Sequence, residues 1–294
     1  MARRRETVIG LALLLPALTA ILLVVGYPLA RAVVLSASRY RLTEGIDSER
    51  LCGLCNFEAL LGDPFLGTYL RNQTIWVAGA TFLPILLALG IALLMNRPLR
   101  LRWLWRSIVL VPWMMPPATV AVTWRWLYDQ QWGLLNHYLA SAGLTERPIG
   151  FLTAPEWVWP SILVAATWMW FPYNYVVLLA SLQSVPAELY EAARIDGASR
   201  LAELRHITLP LIRPVLLVLV TLGLIWTSND FTTIFLLTQG GPGVESMTVP
   251  PLIYRTSFRV YDIGRGAAIG VILMLVGLIF VIGYLWLARK QEQA

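Results

Sequence analysis

Residues 185–210 read Val185-Pro-Ala-Glu-Leu-Tyr-Glu-Ala-Ala-Arg-Ile-Asp-Gly-Ala-Ser-Arg-Leu-Ala-Glu-Leu-Arg-His-Ile-Thr-Leu-Pro210. The stretch is too polar to lie in hydrocarbon, yet runs long and apolar enough to cross a bilayer flank it on both sides. It is therefore a loop between two spans. Glu188 and Glu191 fall early in a predicted helix, where carboxylates suit the positive end of the helix dipole, and Gly197 is placed to end it. A short helix, a glycine turn and a second short helix follow. Leu189, Ala192, Ala193 and Ile195 leave a small-residue, partly apolar face on the first helix, a surface that another protein can approach closely.

Outward from this loop the chain divides into six apolar stretches: 7–34, 72–95, 103–127, 158–182, 211–237 and 264–288, with the polar loop at 184–210. Each reaches the roughly 20 residues a spanning helix needs. Composition agrees, since 57% of the 294 residues are hydrophobic and only 14% are charged, with a mean hydropathy of +0.65. Soluble domains carry about a quarter of their residues as charges. The expected fold is an all-α integral membrane protein, one transmembrane domain over 1–294. Of the basic residues behind the net charge of +6, only Lys290 is a lysine. Arg3, Arg4 and Arg5 precede the first stretch, whose apolar run is too long for a secretory signal, and Arg97, Arg100, Arg102 and Arg106 crowd the acid-free connection after the second. Arginine on the cytoplasmic side places both termini, with Arg289 and Lys290, and the loop of 184–210 inside. Ser199 should then react with labels from the cytoplasm and Ser246 from outside. No domain-sized soluble segment exists to carry a nucleic-acid-binding face.

Several spans are interrupted by proline, notably at Pro112, Pro116, Pro117 and Pro172, which fits either kinks between packed helices or the lining of a water-filled pathway. Span four contains Thr167-Trp-Met-Trp-Phe-Pro-Tyr-Asn174, whose aromatic faces and amide suit the apolar face and hydroxyl rim of a sugar. The same aromatics suit the membrane interface with no ligand at all. Span five contains Thr227, Ser228, Asn229 and Asp230, costly at membrane depth unless turned to the bundle interior, for packing or for function. Cys52 and Cys55 form a lone C-x-x-C with no second pair to complete a zinc site, so no metal is expected.

The loop carries more than its polarity. Glu191-Ala192-Ala193, then Gly197, then Ile207-x-Leu209-Pro210 resembles the EAA loop of ABC importer permeases. Gly53-Leu54-x-Asn56-Phe57, Asp63-Pro64 and Leu237-Thr238-x-Gly240-Gly241-Pro242 extend the likeness over most of the chain, to the MalF-type branch of carbohydrate importers. The resemblance implies a six-helix type I permease core in a bacterial or archaeal plasma membrane. It implies a coupling helix docked in an ATPase subunit, with Glu191, Ala192, Ala193, Asp196, Gly197, Ile207, Leu209 and Pro210 carrying the contact. Implied partners are a second homologous permease, an ATPase dimer and an extracytoplasmic solute-binding protein, with a sugar-like solute and membrane lipid. No cofactor belongs to this chain, ATP and magnesium being held by the ATPase. The pattern in span four maps Met169, Trp170 and Tyr173, with Asn174 beside them, onto pocket positions, although maltose-type members have glycine where Trp170 stands. Counting back from Thr-x-Gly-Gly-Pro, Gly223 and Thr227 fall on the pocket face, with Asn229 and Asp230 a turn nearer the outside. Cys52 and Cys55 depart from the family pattern and read as a local staple or as incidental.

Two other classes fit the sequence less well. An intramembrane enzyme finds little material, since the two histidines, His137 and His206, fall on opposite sides and no H-E-x-x-H pair exists. A secondary transporter could use Asp230 for ion coupling, but an autonomous transporter needs no docking loop. A lone lysine at position 290 leaves no phosphate-binding loop, so this chain is not the ATPase.

Overall fold

The computed structural model describes residues 13–97 and 100–292. Arg3 to Arg5, the first residues of the expected first span, and the side chains of Arg102, Arg289 and Lys290 lie outside that description. Among the described residues, helices α1 (Leu13–Ser36), α3 (Leu66–Met95), α7 (Pro155–Gln183), α10 (Leu209–Ser228) and α13 (Ile263–Glu292) correspond to five of the six apolar stretches. The chain forms two compact units, one holding the residues up to Leu66 together with Leu252–Val276, the other Gly67–Pro251 and Gly277–Ala294.

In the first unit α1 ends in a small two-stranded ribbon. Its antiparallel strands β1 (Ser38–Arg39) and β2 (Arg50–Leu51) lead into helix α2 (Cys55–Leu61). Cys52 and Cys55 are disulfide-bonded at this corner, so the staple reading of the pair holds. The buried Asn56 donates from Nδ2 to the carbonyls of Ser36 and Ser38, closing the turn. Ion pairs tie the segment together, among them Arg31 with Glu49 through both carboxylate oxygens, Arg41 with Asp262 at 2.9 Å, and Arg265 with Asp63 at 2.6 Å. Arg31 holds the Glu49 carboxyl below its ordinary range. The motif residues Asn56 and Asp63 are thus structural anchors.

The third apolar stretch is not one straight helix. Helix α4 (Arg102–Leu110) runs through a tight turn at Val111–Met114 and is bent by 93° from α5 (Pro117–Leu127). Three prolines explain the break. Pro112, Pro116 and Pro117 remove backbone donors, and a residue before proline is pushed out of the helical region, as Met115 (ψ 137°) and Pro116 (ψ 138°) are. The fifth stretch breaks as well: α10 stops at Ser228, Asn229 to Phe231 are irregular, and α11 (Thr232–Leu237) resumes.

The second unit has a core in two parts. Trp76, Ala80, Val158, Trp159, Ile162, Ala166, Ile234 and Leu237 build one; Ile85, Ala88, Ala92, Phe171, Tyr175, Leu178, Leu182, Ile212 and Leu219 build the other. Small residues on α3 let α7 and α10 come close. The loop after α11 is held by side chains of α3: the fully buried Asn72 donates to the carbonyls of Val244 and Met247, and Gln73 accepts from Val249 N–H while donating to Ser228 O. Ser246, expected to face outside and react with labels, is fully buried in this loop, hydrogen-bonded to Thr238 and Gly241. That expectation is corrected: polarity of sequence does not imply exposure where a loop folds on its own hydroxyls.

Candidate functional site: a pathway cavity and a docking loop

Between the two parts of the core lies a cavity of about 30 Å³. Trp170 packs on one core cluster and Tyr173 on the other. Helix α7 presents Trp170, Tyr173 and Asn174; α3 presents Ala80, Thr81 and Ile85; α10 and the break after it present Leu219, Gly223, Trp226, Thr227 and Asp230. The α10 set follows one helical face, since residues three, four and seven apart share a side. Trp226, absent from the residues expected from sequence, joins Trp170 (ring centroids 6.5 Å apart) and Tyr173 (5.5 Å) in an aromatic wall, and Trp113 extends it to 5.9 Å from Tyr173.

Of the eight residues expected along the pathway, six line the cavity: Trp170, Tyr173, Asn174, Gly223, Thr227 and Asp230. Met169 does not, being 3% exposed and turned into packing, and neither does Asn229, which is exposed and donates back to Ile225 O at 2.8 Å. Asp230, expected a turn further out, lines the cavity: it stands seven residues after Gly223 and three after Thr227, on the same face, although regular helix ends at Ser228. Its Oδ1 accepts from Thr233 N–H, while Oδ2 is buried with no hydrogen-bond partner. Thr227 is already engaged, with Oγ1 donating to Gly223 O and lying 3.2 Å from Thr81 Oγ1, and its carbonyl accepts from Trp76 Nε1. Gly223 is where α10 meets α3: a Cβ there would stand 2.8 Å from Thr81 Cγ2.

The loop of 184–210 is the second region. Helix α8 (Ala187–Ile195) starts after Pro186 and has no buried residue. It ends as the sequence predicts: Gly197 takes a left-handed φ of +79°, and the N–H groups of Gly197 and Ala198 close on the carbonyls of Arg194 and Ala193. Ser199 then caps the short helix α9 (Arg200–Glu203), and a π-turn over Leu204–Thr208 leads into α10. Two latches that the sequence did not reveal join the outgoing and returning arms. Tyr190 Oη lies 3.0 Å from Thr208 Oγ1, and Arg194 Nε donates to Glu203 at 2.9 Å, a contact that raises the Arg194 pKa above its ordinary value. Glu191, Ala192, Asp196 and Gly197 are exposed and Ala193 half-buried, and Ile195 exposes 87% of its surface. Ile207 and Leu209 differ: both are half-buried, Leu209 against the core, while the exposed Pro210 sits in the first turn of α10. These residues set how the loop returns to the span.

A family model described as "Binding-protein-dependent transport system inner membrane component" matches residues 80–293, the region holding both the cavity and the loop. The chain belongs to that family. It is the membrane-embedded permease subunit of an ABC importer, with ATP hydrolysis carried by a separate subunit. Among its relatives, the trehalose/maltose transport system permease protein MalF of Thermococcus litoralis is 33% identical, covering 97% of this chain and 95% of the relative. The sulfoquinovosyl glycerol transport system permease protein SmoG of Agrobacterium fabrum is 30% identical over 98% and 92%. A solved chain of a bacterial alginate ABC transporter, in complex with an alginate pentasaccharide-bound periplasmic protein, matches this permease with a TM-score of 0.79 and 25% identity, covering 98% of this chain and 96% of that one.

Proposed function

We propose that this permease forms half of a translocation pathway for a saccharide, and that its two compact units work as one transmembrane domain. The observation that carries the reading is the cavity itself, where Trp170, Tyr173 and Trp226 supply aromatic faces and Asn174, Thr227 and Asp230 supply polar groups at membrane depth. Stacking faces bordered by a few polar groups suit a sugar ring, and intramembrane polar residues mark pathways. The solutes named for the relatives, trehalose, maltose and alginate, are of the same class.

The loop of 184–210 is read as the coupling element, with Glu191, Ala192, Ala193, Asp196 and Gly197 against the ATPase, and Ile207, Leu209 and Pro210 fixing its base. An exposed helix offering Ile195 to solvent is accounted for by a protein partner. In this reading both termini and the loop are cytoplasmic. The complex contains one copy of this chain, one homologous permease, two ATPase copies holding ATP and magnesium, and an extracytoplasmic binding protein; no cofactor resides in the chain. Ser199 and Ser141, both exposed, are the positions for labelling from the two sides in a background without Cys52 and Cys55.

The test is reconstitution of the whole complex in proteoliposomes with binding protein outside and ATP at the ATPase face. ATP-dependent accumulation of a saccharide is expected, lost in Tyr173→Ala with subunit association intact. Accumulation without ATPase subunits, or none for any saccharide while another solute class is taken up, would overturn the reading.

A further inference from the structure

Resting on the saccharide reading, we infer that this cavity selects uncharged or amino-bearing saccharides and rejects acidic ones, with Asp230 as the discriminating group. The residues that line it include no lysine, arginine or histidine, and the one ionisable acid is Asp230. Its Oδ2 is buried and unpartnered, whereas buried polar atoms are nearly always satisfied. The remaining polar groups can donate hydrogen bonds but none carries a positive charge, and two of them are already engaged. Thr227 Oγ1 donates to Gly223 O, and Asn174 Nδ2 donates to Trp170 O at 3.1 Å.

A hydroxyl or ammonium group entering beside Oδ2 gives this oxygen the donor it lacks. A carboxylate or sulfonate entering the same space meets a second acceptor and no cation, in surroundings where an unpaired charge is strongly disfavoured. The aromatic wall of Trp170, Tyr173 and Trp226 stacks on any ring with an apolar face, and its indole N–H and phenol O–H groups are uncharged and do not neutralise an acid. Discrimination therefore falls on Asp230. An acidic polysaccharide, alginate, is named for one of the similar proteins, and on this inference the present chain differs from it in solute charge.

The experiment uses the full complex with its companion permease and ATPases in nanodiscs, without binding protein, so that only the membrane pocket selects. Binding of three probes of one size is titrated: maltose, the glucosamine dimer of chitosan, and digalacturonate. Maltose and the glucosamine dimer should bind, and digalacturonate should be weaker by roughly a hundredfold, the scale expected for an unpaired buried charge. In Asp230→Asn the glucosamine dimer should bind more weakly than in the native complex and the gap between maltose and digalacturonate should narrow at least several-fold. Digalacturonate binding as tightly as maltose in the native complex would overturn the inference whether or not the variant assembles. An unchanged ratio in an assembled Asp230→Asn complex would overturn it too. A complex that binds none of the three probes would sink the saccharide reading itself, a different result from binding all three alike.

Discussion

Helices α7 and α8 are consecutive in the chain and opposite in how they are held. Over 29 residues α7 buries fourteen side chains, from Val158 to Leu182, against α3, α10 and the loop after α11. Over nine residues α8 buries none, and contacts through Tyr190 and Arg194 fix it to the returning arm. Packing makes α7 rigid at the cost of tolerance. In α8 a change of side chain finds open space and little else to disturb. The difference predicts that substitutions near the cavity alter stability and transport together, whereas substitutions in the loop separate them.

The largest effect expected is from Gly197→Asp. The left-handed φ costs a side-chain-bearing residue about 1 kcal/mol, but a Cβ there meets nothing within 4 Å, so the protein should insert and fold. Uptake should be lost, with ATPase association weakened or hydrolysis deaf to the loaded binding protein. Normal stimulated hydrolysis and uptake would end the coupling assignment and break the contrast between the two helices.

Gly223→Ala probes the opposite pole. The added carbon meets Thr81 Cγ2 at 2.8 Å in a packed helix contact, and overpacking of this kind costs about 1–3 kcal/mol. A lowered thermal midpoint and reduced uptake should appear together. The double variant with Thr81→Ser should recover part of both, since it removes the atom in conflict; no recovery would place the strain elsewhere.

Ile195→Glu should leave the thermal midpoint within the roughly 0.5 kcal/mol range of surface changes, as the side chain is 87% exposed. ATPase association measured by titration should nevertheless weaken. If association is unchanged, the apolar tip of α8 is not part of the interface. The smallest effect is assigned to Tyr190→Phe, which removes one hydrogen bond to Thr208 worth about 1 kcal/mol. Faster amide exchange across 187–203, with none across α7, is the expected signature.

The same contrast governs what could be read in advance. The end of α8 at Gly197 was legible because a helix cap is written in neighbouring residues, and the loop motif because its parts lie within twenty residues of one another. The cavity is assembled from three segments far apart in sequence, and there legibility fell. Trp226 was overlooked although it lies three residues after Gly223 and four before Asp230, on the same helical face. Met169 was included by its place in a pattern, yet it turns into packing, and Asp230 was set a turn too far out although its spacing from Gly223 and Thr227 put it on their face; the helix end at Asn229 has no proline or glycine to announce it. The 93° break after Met114 was the reverse case: its prolines were visible, while its size depends on tertiary packing.

The cavity of about 30 Å³ has one further consequence. A water needs about half that volume, so the space beside Trp170, Tyr173 and Trp226 admits a water or two and no sugar ring. Seating a solute there and moving the tryptophans are therefore one event.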